Sequence, residues 1–288
     1  MLLYVPFGAV ACLTNVLIAL TLSVHGPLRR RKAFVVMCGL AVADSVEGLA
    51  SVLAGVHYFK AYYGGWWKTR VLPISCAVLP FNLIFHWSGL TTSFMLLALS
   101  VDRFVAVSCP VLYYRLEAGY AIKMTLVVYI YALLSSVFAW VEPLEAWRKS
   151  ELTVQAWCDA ANVAPRYMLY TFYTTALTSL LSVLLYAVVV VLLRRRVQSL
   201  RRDYGCDERT VDSQLSAQRK VTVTFGLSSF CTLFFDSIPR AMGMATHGGG
   251  QRGLDYGPWL NLLDSISPYC FLLIKACALP PSPFLPPP

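Results

Sequence analysis

Two groups of residues in this chain have chemistry that their surroundings make costly. The first is an acid and a base at the end of a long apolar run: Asp102-Arg103-Phe104-Val105-Ala106-Val107-Ser108-Cys109-Pro110-Val111-Leu112-Tyr113. A carboxylate and a guanidinium are expensive to bury apart, so the pair either marks the edge of an apolar medium or is held together there. The second is a set of carboxylates within or beside apolar runs: Asp44, Glu47, Asp236 and Asp264. Glu47 follows Asp44 by three residues, on the same helical face. Two acids that close need a proton or a partner. Such groups hold cations, relay protons or knit polar networks. Catalytic arrangements are missing from the sequence. His25, His57, His86 and His247 are scattered, and no G-x-S-x-G, H-E-x-x-H or phosphate loop occurs. No Cys/His spacing suits a metal. Of nine cysteines, Cys12, Cys38, Cys231 and Cys270 sit in apolar runs, where a thiol acts as a small apolar filler. Pro239 and Pro268 also lie in apolar runs, where proline frees a carbonyl and bends a helix.

These groups must be carried by membrane helices. Hydrophobic residues make up 57% of the 288, charged ones 14%, and mean hydropathy is +0.60. A soluble domain carries about 25% charge, so this surface cannot be coated with polar groups; spans facing lipid need none. Seven apolar stretches are long enough to cross a bilayer: Leu2–Val24, Ala33–Phe59, Leu72–Val107, Ala121–Val141, Tyr167–Leu193, Val221–Thr246 and Tyr256–Leu279. The third exceeds what a bilayer needs and should tilt or project. The first is too long for a signal-peptide core and reads as a membrane helix. Counted by side, the first, third and fifth connections with the tail carry 16 Lys and Arg, against 8 on the other side. This predicts an external N-terminus and a cytoplasmic C-terminus. The net charge of +9 thus has a topological reading and calls for no nucleic acid. The expected fold is all-α, a seven-transmembrane helix bundle over residues 1–279, with a proline-rich cytoplasmic tail at 280–288. Both ends look abrupt, as in a chain with truncated termini.

The string D-R-aromatic-x-A-V-x-x-P-x-x-Y from Asp102 to Tyr113 resembles the junction after the third helix of rhodopsin-like G-protein-coupled receptors. The resemblance extends from Asn15 to Phe271. Leu40-Ala41-Val42-Ala43-Asp44 is similar to the family's second-helix signature. It implies a plasma-membrane receptor that binds an extracellular ligand and activates a heterotrimeric G protein. Asp102, Arg103, Phe104, Pro110, Tyr113, Tyr186, Pro239, Pro268 and Phe271 would serve coupling and switching. Asn15, Asp44, Thr92, Asp264 and Ser267 would form a polar cluster inside the membrane. Two readings stand for it: a sodium site at Asp44, or a hydrogen-bonded network without an ion. A disulfide between Cys76 and Cys158 would pin the second outer loop over the ligand cavity, although Cys76 stands two residues farther from Arg103 than is usual. No cofactor is expected.

The departures are informative. Ser237 stands where the family has tryptophan, and Ser267-Pro268-Tyr269-Cys270-Phe271 replaces N-P-x-x-Y. Arg219 stands where the arginine's acidic partner is usual, which predicts a less tightly closed resting state. Phe85 replaces the aspartate of amine receptors, and Asn261 the retinal lysine of opsins. Neither an amine nor retinal is therefore expected. Phe85, His86, Tyr170, Tyr173 and Asn261, with Trp87, would line a cavity for a small molecule; aromatic residues at this spacing are more often packing or interface residues. The pattern of departures resembles the divergent chemosensory receptors of nematodes, and a peptide ligand stays open. The alternative function is a transporter or channel with an acidic pathway through Asp44, Glu47, Asp236 and Asp264. That reading gives no reason for the string around Arg103.

Overall fold

The computed structural model describes residues 4–24, 32–149, 153–156, 158 and 160–204. In order they form α1 (Tyr4–Val24), α2 (Lys32–Tyr63), β1 (Arg70–Val71), α3 (Pro73–Ala77), α4 (Pro80–Ser108), α5 (Pro110–Arg115), α6 (Ala118–Phe138), α7 (Val141–Lys149), β2 (Val154–Gln155), α8 (Ala160–Val163) and α9 (Pro165–Tyr204). Among the described residues, five helical segments are long and apolar enough to cross a membrane, starting at Tyr4, Lys32, Pro80, Gly119 and Pro165. The sixth and seventh apolar stretches and the tail lie outside the described residues.

The chain divides into two compact units. One holds Met1–Met95 and Ala118–Leu177, the other Leu96–Glu117 and Thr178–Pro288. In the first, α1 packs on α2 through small residues. Gly8, Ala11, Asn15 and Leu22 form the buried face of α1. A Cβ on Gly8 would stand 2.6 Å from the Gly48 carbonyl oxygen, and one on Gly48 would stand 2.6 Å from the Cys12 nitrogen. Within a bilayer, helices gain little from hydrophobic exclusion and must gain from close backbone packing, which only small residues allow. The opposite face of α1 leaves Leu13 and Leu17 64% and 62% exposed, a lipid-facing pattern. Helix α6 meets α2 at Gly39, whose carbonyl accepts a 2.6 Å hydrogen bond from the Tyr129 hydroxyl.

The third apolar stretch is not one helix. It breaks at Val78–Leu79, between α3 and α4. Pro80 has no N–H to donate to the Cys76 carbonyl four residues back, and it disfavours helical backbone at Leu79. The freed carbonyl is satisfied by the Leu79 N–H at 3.2 Å and by the Asn82 side-chain amide at 2.8 Å. The length that the sequence leaves over is thus taken up by a turn rather than by tilt alone, and the two additional residues between Cys76 and Arg103 have a place. β1 and β2 pair antiparallel, Arg70 opposite Gln155 and Val71 opposite Val154.

In the second unit the helix α4 ends at Ser108 for the same reason. Pro110 forces Cys109 out of helical geometry (φ −129°, ψ 66°) and opens α5 at its first position. Leu96 on α4 accepts a bond from the Ser182 hydroxyl of α9 at 3.3 Å.

Candidate functional site

Because α5 turns back after Pro110, Tyr113 returns to the end of α4. Asp102 is fully buried there. Its Oδ2 accepts from the Arg103 guanidinium at 2.7 Å and from the Tyr113 hydroxyl at 3.4 Å. The pair is therefore held together rather than marking a boundary as separate charges. A second carboxylate oxygen, Asp102 Oδ1, has no hydrogen-bond partner among the described residues, nor do Arg103 Nε, Ser179 Oγ and Tyr186 Oη. Tyr186 is buried on α9 within electrostatic range of Arg103 and Asp102. Unmet buried polar groups are costly. Phe104 is half-buried beside the pair in sequence.

In the first unit, Asp44 and Glu47 of α2 meet Thr92 of α4. The Thr92 hydroxyl lies 3.1 Å from Asp44 Oδ1 and 3.5 Å from Glu47 Oε2. It carries one proton, so it can serve only one carboxylate at a time. Asn15 is buried on α1 with its amide on the Ala11 carbonyl at 3.0 Å. Among the described residues no group of three or more His, Cys, Asp or Glu could hold a metal ion.

Four residues before α4 begins, Cys76 forms a disulfide with Cys158. It sits in a cluster with Ala54, Ala77, Phe81 and Val163, against which Phe85 packs. His57 faces the Ala156 carbonyl at 3.3 Å, two residues from Cys158. His86 sets its ring edge to face with Tyr167, centroids 4.9 Å apart. Tyr167 and Tyr170 both approach the Ser135 hydroxyl at 3.5 Å, and Tyr170 shares a 2.6 Å bond with Tyr131. His86 and Tyr170 are thereby linked through one chain of rings and hydroxyls. Tyr173 is not brought to it; its side chain is 63% exposed and contacts Phe172. Trp87 packs on Tyr129 instead, at 5.3 Å.

Asp236, Pro239, Asn261, Asp264, Ser267, Pro268 and Phe271, with Arg219 and Ser237, lie outside the described residues. The structure adds residues that sequence reading passed over. Asn82 stands two positions after a proline, a signal that was available. Glu142 of α7 accepts the backbone N–H groups of Arg166 and Tyr167 at 3.1 and 3.0 Å, capping the first turn of α9 from 24 residues away. No local pattern announces that pairing.

Comparison with known proteins agrees with this architecture. The model of the 7 transmembrane receptor (rhodopsin family) matches residues 14–239. Lysophosphatidic acid receptors 1-B and 1-A of Xenopus laevis are each 25% identical over 240 residues, covering 80% of this chain. The chain spans 60% of the length of either relative. A family match over most of the chain, membrane-length apolar helices and the Cys76–Cys158 disulfide together make this multi-pass membrane protein a member of the rhodopsin family of seven-transmembrane receptors.

Proposed function

We propose that this chain is a plasma-membrane receptor with seven spans, an external N-terminus and a cytoplasmic C-terminus. It binds an extracellular small molecule and activates a heterotrimeric G protein. One observation carries the reading: fully buried Asp102 holds Arg103 at 2.7 Å, directly before a proline-started helix that returns Tyr113 to the same carboxylate oxygen. The positive-inside count directs this end to the cytoplasm.

A ligand acts by binding one helix arrangement better than another. In the arrangement that couples, Arg103 leaves Asp102 for the α-subunit, with the segment from Pro110 to Tyr113 flanking it. Tyr186, whose hydroxyl has no described partner, takes up the displaced guanidinium or its water. Pro239, Pro268 and Phe271 serve the same switch. The polar cluster of Asn15, Asp44, Thr92, Asp264 and Ser267 biases it, with a sodium ion at Asp44 as one way to do so. The ligand lies among Phe85, His86, Tyr170 and Asn261, beneath the loop pinned by Cys76–Cys158. A wall without a carboxylate suits an apolar or anionic body. The relatives are named for lysophosphatidic acid, and an amphiphile of that kind is the ligand class to screen first, ahead of peptides.

The Asp44–Glu47 doublet favours the rival reading, an ion pathway. Proteoliposomes separate the two. The receptor reading expects amphiphile-evoked nucleotide exchange on added G protein and no ion flux. Ion flux without exchange would establish the transporter.

A further inference from the structure

Helix α7 presents three different faces, and among the described residues only two have an occupant. At 100° per residue, Pro143 and Ala146 fall on one side. Both are buried, and the helix packs on α3. Glu142 falls on a second side, where it caps α9 through the Arg166 and Tyr167 amides. These two anchorages fix the rotation of α7 about its axis. The third side then holds Val141, Leu144 and Trp147, spaced three apart, which are 46%, 39% and 54% exposed, with Arg148 on the same side at the helix end. Arg148 and Lys149 end the helix.

A soluble helix would turn its apolar stripe inward. Here the inward side is filled by a proline and an alanine, and the larger apolar residues are turned out. The stripe begins three residues after the end of α6, whose last turns leave Leu134, Val137 and Phe138 60%, 63% and 65% exposed in a helical segment of membrane-spanning length. It thus continues the exposed apolar surface of α6, the side that a membrane-spanning helix turns to lipid. Tryptophan with flanking cations is the composition of the lipid boundary, where the indole sits among headgroups and Lys and Arg reach phosphates.

We infer that α7 is an interfacial helix whose Val141–Leu144–Trp147 stripe is seated in the headgroup region of the bilayer. Through Glu142 and the packing on α3, this seat ties the lipid surface to the start of α9 and to the segment that carries Cys76. The inference rests on the membrane placement of the chain and not on which side α7 occupies.

The test uses the full chain, one copy per phosphatidylcholine nanodisc, so that both membrane faces are open to water. Single variants Leu144→Cys, Trp147→Cys and Glu145→Cys are alkylated with a charged, membrane-impermeant maleimide. Adducts are read by mass spectrometry on the peptide from Met124 to Arg148, which contains no native cysteine. Rates are normalised to those after denaturation, which removes intrinsic thiol differences. The expected result is alkylation about tenfold slower at 144 and 147 than at 145, because lipid excludes both the probe and the thiolate. Equal rates at the three positions would overturn the inference. So would slow labelling at 144 and 147 that appears only in densely loaded vesicles and is lost in single-copy discs, since a second copy of the chain would then be the occupant. Glu145→Cys lies on the polar side and reports folding: a variant set in which all three sites react as fast as the denatured chain also counts against the helix as described.

Discussion

Asp102 shows what one residue can decide in this molecule. Its carboxylate is fully buried, yet only one of its oxygens is hydrogen-bonded among the described residues. Removing one partner of a buried ion pair costs about 3–5 kcal/mol where the other stays charged. Asn82 is a second such residue. Its amide replaces the N–H that Pro80 lacks, at 2.8 Å from the Cys76 carbonyl. Asn82→Ala should destabilise the protein by about 1–3 kcal/mol, the cost of a buried group left short of a partner, and a thermal melt in detergent checks it. An unchanged melting temperature would mean water fills the gap. Residue chemistry of this sort was partly legible. Asp44 and Thr92, which the family resemblance puts in one cluster, meet, and Glu47, on the same helical face as Asp44, lies beside them. Tyr173 and Trp87 were read with the ligand wall on aromatic type alone. Type does not say which way a helix turns, and one of them is exposed while the other packs on Tyr129.

At the level of elements, small residues set the distances. Gly48 has Cys12 backbone within 2.6 Å of where a Cβ would be, and backbone cannot swing aside as a long side chain can. Gly48→Val should therefore push α1 from α2 and cost at least about 1–3 kcal/mol, seen as a lower melting temperature and reduced surface expression. A variant that expresses and melts like the parent would contradict the packing. Helix ends are a second control. Glu142→Ala removes the only described cap of the α9 amides at Arg166 and Tyr167, at a cost of about 0.5–2 kcal/mol. Faster hydrogen exchange confined to the first turn of α9 is the expected signature; unchanged exchange there would show the cap to be dispensable. Apolar length marked the five described spans in the sequence, because lipid demands it. The break at Val78–Leu79 was foreshadowed by Pro80 and by excess length, but its geometry was not. The tie between α7 and α9 was illegible, since a carboxylate and two amides 24 residues apart share no periodicity.

For the molecule as a whole, the described residues hold five helices of membrane-spanning length, and the family match covers residues 14–239. The charge count supplies the orientation that the proposed function uses. Under the proposed function the Asp102–Arg103 junction faces the cytoplasm. With Arg219 where an acidic partner for Arg103 is usual, the resting state should leak activity. The most direct test is therefore made without a ligand. The purified full chain in nanodiscs is mixed with heterotrimeric G proteins of each α-subunit class, and guanine-nucleotide exchange is followed. The account predicts that the parent accelerates basal exchange on at least one class and that Arg103→Ala, reaching the cell surface at parent levels, does not. Exchange that is equally fast with Arg103→Ala, or that the parent fails to accelerate on every class, would contradict it.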